Sequence, residues 1–375
     1  MKDERFAVPL VLVLVLVLAT PLQAVPPGYT VTELDAPPPW FPDTAGARDI
    51  NDSAQLCGAG MMVLEFPPFG MLPALRAFSW SGGVMTPLGT LGGRESMAYG
   101  VNDLGLVVGG ADTAANSRHA FYWTSHVGMH DIGSGAAGDS EAYGVNSSAW
   151  IVGKAEFGVH ERWRAFLWTG AAGMTDLGTL GGEKSEAADI NDAGLIVGTA
   201  ETPAGASEAF LRAVGGPMQG LGHLGGGFSS ASAINNLGQV VGASSTATGT
   251  HAFLWHEGVM HDLGTLGGDW SYAHDVNDSG AVVGEAMTGV PYIHGFLWEN
   301  GHMYDLNDLV PTDIGIFVVL EAYGINNAGQ IIAQALVEGK EKCLLLTPIP
   351  EPPSAALFLA GLAFAARWAR RVRRG

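Results

Sequence analysis

The histidines and acidic residues are numerous enough to form a catalytic or metal site, so their spacing is considered first. The chain has 11 His and 37 Asp or Glu among 375 residues. Equivalent residues of a repeat lie about one unit apart, too far to bind a single ion unless they surround an axis. No zinc-ligand spacing, nucleophile elbow or phosphate-binding loop occurs. We therefore predict no catalytic residue and no metal ligand. Six histidines recur at such equivalent positions: His119, His251, His294, His130, His261 and His302.

Two kinds of chemistry remain as alternatives. Carboxylates gathered at the mouth of an axial channel, such as Glu186 and Asp189 with Asp275, would be needed for a polysaccharide hydrolase or lyase. Asn-Asp-x-Gly turns could bind calcium in an adhesion module, because the ion takes six to eight oxygen ligands. The turn aspartates are Asp52, Asp103, Asp192 and Asp278, but Ser147, Asn236 and Asn327 occupy the same position elsewhere. Turn chemistry explains all of these positions, so we predict no cofactor.

One repeated segment organises the chain, and it is clearest from Asp189 to Gly198. A run of small residues leads to Ile-Asn, a turn ending in Gly follows, and a β-branched pair closes on Gly. Each unit continues through Ala-Phe-Leu-Trp and Met-x-Asp-Leu to Gly-Thr-Leu-Gly-Gly. The unit's asparagine recurs every 42 to 51 residues, at Asn51, Asn102, Asn146, Asn191, Asn235, Asn277 and Asn326. Four short apolar or alternating segments bounded by Gly, Asn or Asp predict four strands in each unit.

This period predicts an all-β fold, a seven-bladed β-propeller of four-stranded antiparallel blades. The small-residue strand is expected nearest the axis and Met-x-Asp-Leu outermost. The last unit lacks its outermost strand, whereas Tyr29 to Asp35 has the corresponding pattern at the other end of the chain. We predict that this N-terminal strand pairs beside Cys343 to Leu346 and closes the ring, which also removes an exposed sheet edge.

The repeated segments resemble the HAF family of extracellular repeat proteins, named for a His-Ala-Phe triplet. That triplet occurs at 119–121 and at 251–253. Elsewhere the histidine is replaced by Arg76, Arg164, Glu208 or Lys342, and one copy reads His-Gly-Phe at 294–296. The resemblance implies an extracellular location, but it brings no ligand and no catalytic residue.

The two ends of the chain predict export and sorting. Residues 1–24 have the charged, apolar and small-residue profile of a signal peptide, with cleavage expected after Ala24. Residues 350–375 contain Pro350, Glu351 and Pro352, an apolar stretch and five arginines. This order resembles the PEP-CTERM sorting tail, which implies recognition by an exosortase. The repeat domain is predicted to span residues 25–349, and the membrane is contacted only through the terminal segments.

Departures from the repeat mark candidate binding segments. An apolar insertion in the first unit contains Met62, Phe66 and Phe69, and it either covers the core or forms a binding patch. A second departure, 308–319, is also apolar. Cys57 and Cys343 are predicted to be small core residues, although a disulfide between them is possible in an oxidising compartment.

The formal net charge of −19 excludes a nucleic-acid partner, because like charges repel. Together these features predict an exported, non-catalytic binding or structural protein of the periplasm, outer envelope or extracellular matrix of a Gram-negative bacterium. The expected partners are an exosortase and an exopolysaccharide or a surface protein.

Overall fold

The computed structural model describes residues 28–34, 39–40, 45–66, 70–133, 138–158, 162–170, 172–290, 292–311 and 317–350. Within these ranges the chain forms strands, with one 3-10 helix at Leu306–Asp308. No helix in the described ranges has the length and apolar character needed to cross a bilayer. The predicted signal segment, Phe69, Glu351 and Pro352 lie outside the described residues.

The strands are short and follow the repeated segments closely. In the first half they are β1 Tyr29–Glu33, β2 Gly46–Ile50, β3 Leu56–Phe66, β4 Gly70–Ser81, β5 Val84–Gly89, β6 Gly92–Val101, β7 Val107–Thr113, β8 Arg118–Thr124, β9 Gly128–Gly133, β10 Ser140–Val145, β11 Ile151–Phe157, β12 Arg162–Trp168, β13 Met174–Asp176 and β14 Ser185–Ile190. In the second half they are β15 Leu195–Glu201, β16 Ser207–Ala213, β17 Gln219–Gly220, β18 Ser229–Ile234, β19 Val240–Ser245, β20 Thr250–His256, β21 Val259–Gly264, β22 Gly267–Val276, β23 Val282–Thr288, β24 Ile293–Glu299, β25 His302–Asp305, β26 Phe317–Ile325, β27 Ile331–Val337 and β28 Lys340–Pro348.

These strands form four-stranded antiparallel blades in a propeller arrangement. Five sheets have four strands: β2 to β5, β6 to β9, β10 to β13, β14 to β17, and β26 to β28 with β1. A sixth sheet has eight strands, β18 to β25. It consists of two antiparallel groups of four that are joined by one parallel bridge between Thr250 and Trp270. The prediction of seven separate four-stranded blades is wrong in this respect, because the described residues form five separate four-stranded sheets and one sheet of eight strands.

The strand pairing that was predicted to close the ring is present. β1 pairs antiparallel with β28, from Tyr29 opposite Pro348 to Glu33 opposite Leu344. Tyr29 is buried, and it packs with Leu344 and Leu346 in one apolar cluster. The first strand therefore completes a sheet whose other strands come from the end of the repeat domain.

A glycine is required where the second strand of most units crosses the first. A Cβ added to Gly153 would lie 2.0 Å from the carbonyl oxygen of Glu141, and one added to Gly109 would lie 1.9 Å from that of Met97. Both glycines adjoin a β-bulge in the first strand, between Ala142 and Gly144 in one unit. The close approach of the two backbones thus explains why the β-branched pair is followed by Gly in these units. The same glycine occurs at Gly58, Gly198, Gly242 and Gly284.

The core consists of one fully buried phenylalanine per Ala-Phe segment with aliphatic neighbours. These are Phe78, Phe121, Phe166, Phe210, Phe253 and Phe296, and each of them is 0% exposed. Full burial of one such ring stabilises the fold by about 1.5–3 kcal/mol relative to exposure. The Ala-Phe-Leu-Trp motif is therefore primarily a packing motif.

Buried serines connect consecutive units through the bulge between the third and fourth strands. Ser140 Oγ accepts the N–H of Ala120 at 2.8 Å and donates to the carbonyl of Gly133 at 2.6 Å. Ladder pairing shifts by one residue between Ala120 and Phe121, so the serine satisfies backbone groups that the sheet leaves free. The equivalent serines are Ser96, Ser185, Ser229 and Ser271.

Candidate functional site

A closed ring of asparagine side chains surrounds one end of the axis. Each repeat asparagine donates from Nδ2 to the backbone carbonyl of the next, over distances of 2.9 to 3.1 Å. The last of them, Asn326, donates to Asn51 and so returns the ring to its start. The side-chain oxygen accepts backbone N–H groups of its own turn, as in Asn102 with Leu104 and Leu106. All seven are 3–7% exposed, so the Ile-Asn motif builds the axial end of the propeller.

The residues after these asparagines form a second ring at the same end. The N–H of Asp52 donates to Asp103 Oδ1 at 2.8 Å, and that of Asn327 donates to Asp52 Oδ1 at 2.8 Å. The turn aspartates thus bond to neighbouring turns. In the described part of the chain, no group of three or more His, Cys, Asp or Glu side chains is arranged to hold a metal ion. We call this end of the axis, with its cavity of ≈ 190 Å³ lined by both rings, the asparagine mouth.

Three aspartates lie inside the axis, two residues before their asparagines. Asp49 accepts the N–H of Ile50 and, from the next unit, that of Val101, both at 2.7 Å. Asp189 and Asp275 make the corresponding bonds with their own and the following units. Burial raises the pKa of Asp49 to about 7, and the charge of Asp275 adds to this shift. Burial likewise raises the pKa of Asp189 to about 7 and raises that of Asp275.

Aromatic and charged side chains converge at the opposite end of the axis. The residues three positions before the seven asparagines are Arg48, Tyr99, Tyr143, Ala188, Ser232, His274 and Tyr323, and they line a cavity of ≈ 130 Å³. Three glutamates lie at the outer edge of this cavity, each five positions before an asparagine of the ring. They are Glu141, Glu186 and Glu321. We call these ten residues the tyrosine mouth. Its position was identifiable only once the strand order was known, because the residue types differ from unit to unit.

On one side of the tyrosine mouth the charges neutralise one another. Glu141 accepts a hydrogen bond from Arg118 Nε at 2.7 Å and from the Tyr143 hydroxyl at 2.7 Å. Lys154 Nζ lies 3.7 Å from Glu141 and 3.0 Å from Glu186. The same ammonium group lies 5.2 Å from the centre of the Tyr143 ring, a cation–π distance. Burial and the surrounding carboxylates raise the pKa of the Tyr143 hydroxyl, so this phenol remains protonated.

On the other side Glu321 accepts a hydrogen bond from the Tyr323 hydroxyl. Burial raises the pKa of Glu321 further than this bond lowers it, and the charge of Glu285 adds to the rise. His274 Nε2 lies 3.8 Å from Glu285 Oε1 and has no hydrogen-bond partner among the described residues. The Arg48 guanidinium lies 4.7 Å from the centre of the Tyr323 ring.

The carboxylates considered for hydrolysis are each bound by other groups of the protein. Glu186 is paired with Lys154, whereas Asp189 and Asp275 are each bound by two backbone N–H groups inside the axis. Glu285, 3.8 Å from His274 Nε2, and Glu321, which accepts the Tyr323 hydroxyl, were not singled out from the sequence.

The strand-three histidines are paired with the aspartate of the Asp-Leu segment. His119 Nδ1 lies 2.9 Å from Asp131 Oδ2, and the other two strand-three histidines make the same contact. Asp131 also accepts the N–H of Gly133 at 2.7 Å. In the fourth unit Gly220 replaces this aspartate, and Glu208 replaces the histidine and accepts the N–H of Gly222 at 2.9 Å. These pairs hold the two outer strands together and lie away from the axis.

The apolar insertion of the first unit is a long hairpin. β3 and β4 continue their pairing to Phe66 opposite Gly70. Met62 is 5% exposed and packs in the cluster that includes Trp40, whereas Met71 near the tip is 61% exposed. Of the two alternatives for the insertion, the burial of Met62 favours a core-covering role at that residue. In each unit the second strand runs from the asparagine turn toward the tyrosine mouth, so the hairpin extends on the tyrosine-mouth side.

Two further predicted features can be located. Cys57 and Cys343 are both buried free thiols, and they are not joined as a disulfide. Cys343 Sγ accepts the N–H of Ala47 at 3.4 Å, on the strand next to the ring closure. Burial raises the pKa of Cys343 to about 11, which makes it unreactive at neutral pH. Pro350, the last described residue, is exposed.

A closed ring of four-stranded antiparallel sheets around a polar axis defines a β-propeller. Comparison with protein families adds that residues 348–374 match the PEP-CTERM protein-sorting motif. This motif implies sorting by an exosortase and export to the cell envelope or beyond in a Gram-negative bacterium. No curated protein matches the chain significantly.

Solved structures give distant matches. TolB from Acinetobacter baumannii has 10% identity and a TM-score of 0.41, over 77% of this chain and 79% of that one. AofleA from Arthrobotrys oligospora has 12% identity and a TM-score of 0.39, over 74% and 87%. XC5397 from Xanthomonas campestris, described as a gluconolactonase, has 12% identity and a TM-score of 0.35, over 69% and 91%. At these identities and TM-scores the matches assign no function to this chain.

Proposed function

We propose that this exported propeller is a non-catalytic binding protein of the envelope or extracellular matrix, and that its ligand is a polysaccharide bound at the tyrosine mouth. The observation that carries the proposal is the convergence of three tyrosines, a histidine, an arginine and several glutamates on one end of the axis. The sorting tail supports the location, because it implies export by way of an exosortase.

The chemistry of the mouth suits sugars. Tyrosine rings offer flat apolar faces with a polar tip, and the glutamate and arginine groups supply directed acceptors and donors for hydroxyls. The mouth is concave and largely pre-organised by contacts such as the Tyr99–Tyr143 edge-to-face pair, whose ring centres are 5.1 Å apart. A pre-organised site loses little conformational freedom on binding.

A binding role is supported over a catalytic one by the state of the carboxylates. Glu141 and Glu186 are neutralised by Arg118 and Lys154, and the axial aspartates are held by backbone N–H groups. None of these is positioned as a separate acid and base on two sides of a groove, which polysaccharide hydrolysis requires.

We propose further that the hairpin β3–β4 borders the ligand. It extends on the side of the propeller that carries the tyrosine mouth, and its tip residue Met71 is exposed. In this arrangement Met62 anchors the hairpin in the core, and the described end of the hairpin at Met71 borders the ligand. An exopolysaccharide chain crossing the mouth would pass along this wall.

The asparagine ring supports a seven-fold count of structural units. We infer that the eight-stranded sheet functions as two blades, because its halves contribute Asn235 and Asn277 separately to the ring. The repeated Ala-Phe-Leu-Trp and Ile-Asn segments support placing the domain among HAF-repeat proteins.

The test is binding of the mature repeat domain to a panel of neutral, anionic and amine-bearing polysaccharides. Tyr323→Ala is expected to weaken binding to the recognised polymer about tenfold, since stacking and hydrogen bonding at one ring contribute on the order of 1–2 kcal/mol. Tyr304→Ala, on the outer strand β25, is the matched control and should bind like the wild type. Equal losses in both variants, or binding to no polysaccharide, would contradict the proposal, and release of reducing ends would favour the hydrolase alternative.

A further inference from the structure

The third unit carries an aromatic ring at a position where the other units have none. Trp163 stands immediately before the Arg-Ala-Phe segment of β12. Because the other six units fold with aliphatic, polar or charged residues at this position, the scaffold does not require the tryptophan there. The equivalent residues are Leu75, Arg118, Ser207, Thr250, Ile293 and Glu341.

Trp163 lines a cavity of ≈ 410 Å³ between the third and fourth units, which we call the Trp163 pocket. β11 and β12 of the third unit form one wall through Lys154 and Trp163, and β14 and β15 of the fourth unit form the other. The pocket adjoins the tyrosine mouth, because Glu186 belongs to both and Lys154 lies beside Tyr143. Its volume lies within the range of small-molecule sites, about 300–1,000 Å³.

Ion pairs across the boundary between the two units hold the walls of the pocket together. Arg162 lies 2.8 Å from Glu183, and Lys154 Nζ lies 3.0 Å from Glu186. Lys154 Nζ also lies 5.2 Å from the centre of the Trp163 ring, a cation–π distance that orients the indole. The pocket is therefore formed before a ligand enters, and binding there costs little conformational freedom.

The polar groups of the pocket are held in place and their charges balance. Glu201 Oε2 accepts two backbone N–H groups of the segment before β14, at 3.1 and 3.2 Å. Thr199 and Ser207 add hydroxyl groups to the lining. The charged lining residues are two lysines and two glutamates, Lys154, Lys184, Glu186 and Glu201. Their formal charges sum to zero.

We infer that the Trp163 pocket binds one pyranose ring of a neutral polysaccharide. This inference rests on the proposed function, and it names the charge class of the polymer and a second place where the polymer is held. A pyranose has an apolar C–H face and a rim of hydroxyl groups. The indole of Trp163 offers a flat apolar surface to that face, and the surrounding ammonium, carboxylate and hydroxyl groups donate to and accept from the rim. A flat ligand without hydroxyls would leave these polar groups without partners.

The charges around the pocket favour a neutral sugar over a charged one. An anionic sugar meets the carboxylates of Glu186 and Glu201 and a chain of net charge −19. An amine-bearing sugar meets the ammonium groups of Lys154 and Lys184. A neutral ring avoids both repulsions and can form hydrogen bonds with groups of either sign.

The test measures binding of oligosaccharides to the full-length protein by titration calorimetry. Three neutral hexasaccharides, cellohexaose, laminarihexaose and maltohexaose, are compared with anionic hexagalacturonate and cationic hexa-glucosamine. At least one neutral hexasaccharide is expected to bind about tenfold more tightly than either charged one, which corresponds to about 1.4 kcal/mol.

Substitutions of Trp163 test the location of the site. Trp163→Ala is expected to weaken binding of the preferred hexasaccharide about tenfold, and Trp163→Phe, which keeps a flat ring, should restore most of the affinity. Trp270→Ala is the matched control and should bind like the wild type, because Trp270 is a half-buried tryptophan of β22 outside the pocket. Should Trp163→Ala not fold, Lys184→Met replaces it at an exposed residue and should weaken binding about threefold.

Two results would overturn the inference. If a charged hexasaccharide binds as tightly as every neutral one, or if no neutral one binds, the ligand is not a neutral polymer. If Trp163→Ala binds like the wild type, or loses no more affinity than Trp270→Ala, the sugar does not occupy the Trp163 pocket. In either case a polysaccharide whose binding is weakened by Tyr323→Ala leaves the proposed function intact, whereas failure to bind any polysaccharide removes that function as well.

Discussion

Replacing one asparagine of the axial ring should destabilise the whole propeller. Asn191 is 4% exposed, donates to the Asn235 carbonyl at 3.0 Å and accepts the Leu195 N–H at 2.9 Å. Asn191→Ala leaves one buried acceptor and one buried donor without partners. Each such loss costs about 1–3 kcal/mol, so we expect a fall of about 2–6 kcal/mol in the free energy of unfolding.

Asn191→Asp separates the two bonds that alanine removes together. Aspartate keeps an acceptor for Leu195 but places a carboxylate oxygen against the Asn235 carbonyl, where the amide had donated. We therefore expect it to be at least as destabilising as alanine at neutral pH, and less so in acid, where protonation restores a donor. A carboxylate tolerated at pH 7 would show that the amide donor contributes little.

The assay is urea unfolding followed by tryptophan fluorescence, with retained sheet content checked by circular dichroism before unfolding. Asn236→Ser is the matched control, because the equivalent position is already Ser147 in another unit and the residue is exposed. The control should change the free energy of unfolding by less than about 1 kcal/mol. A change within about 0.5 kcal/mol for Asn191→Ala would refute the reasoning that the ring is a stabilising element.

Four further predictions concern the axial aspartates, the ring closure, the tail and the turns. Because burial raises the pKa of Asp49 and Asp189 to about 7 from an unfolded value near 4, folding favours their protonated forms. The stability that these protonated groups contribute is complete below about pH 4 and is lost as the pH rises through 7, so the free energy of unfolding should fall between pH 4 and 7. It should fall less in Asp189→Asn. The same pH dependence in the variant and the wild type would contradict the raised pKa of Asp189. Deleting β1 should remove the partner of β28 and so abolish hydrogen-exchange protection in β27, which pairs with β28 on its other side. Unchanged protection of β27 would show that β28 is stable without β1. Removing residues 350–375 should release the protein from the envelope into the medium, and retention equal to that of the full-length chain would show that the sorting motif is not needed for attachment. The calcium alternative is tested by thermal unfolding with and without a chelator, and the melting temperature is expected to be the same in both.

The repeat predicted much of the scaffold. The spacing of the asparagines and the four apolar segments between them indicated the strands, and the unpaired pattern at Tyr29 indicated the partner of β28. These features are local, since each depends on strand propensity and on turn residues within one unit. The hydrogen bonds between units could not be predicted from one unit alone, because the side chains of Asn102 and Ser140 bond to backbone groups of neighbouring blades. The serines do recur six residues before their asparagines, so a signal existed.

The tyrosine mouth could not be predicted for a different reason. Its residues occupy the positions where the repeat varies, and only a known strand order places Tyr99, His274 and Tyr323 around one cavity. The sequence left open whether Met62 covers the core or forms a binding patch, because its apolar neighbour Trp40 lies outside the hairpin. The joining of two sheets at Thr250 and Trp270 depends on an extended β22, which no motif marks.

The pairing of β1 with β28 also sets an order of events during synthesis. Thr30 and Thr347, which face each other in this pair, are 317 residues apart in the chain. The first strand made is therefore the last to find its partner, and the circle of blades remains open until the end of the repeat has emerged. Contacts this distant in sequence form slowly. A chain that cannot complete its ring early stays incompletely folded for longer, which is compatible with the export that the sorting motif implies.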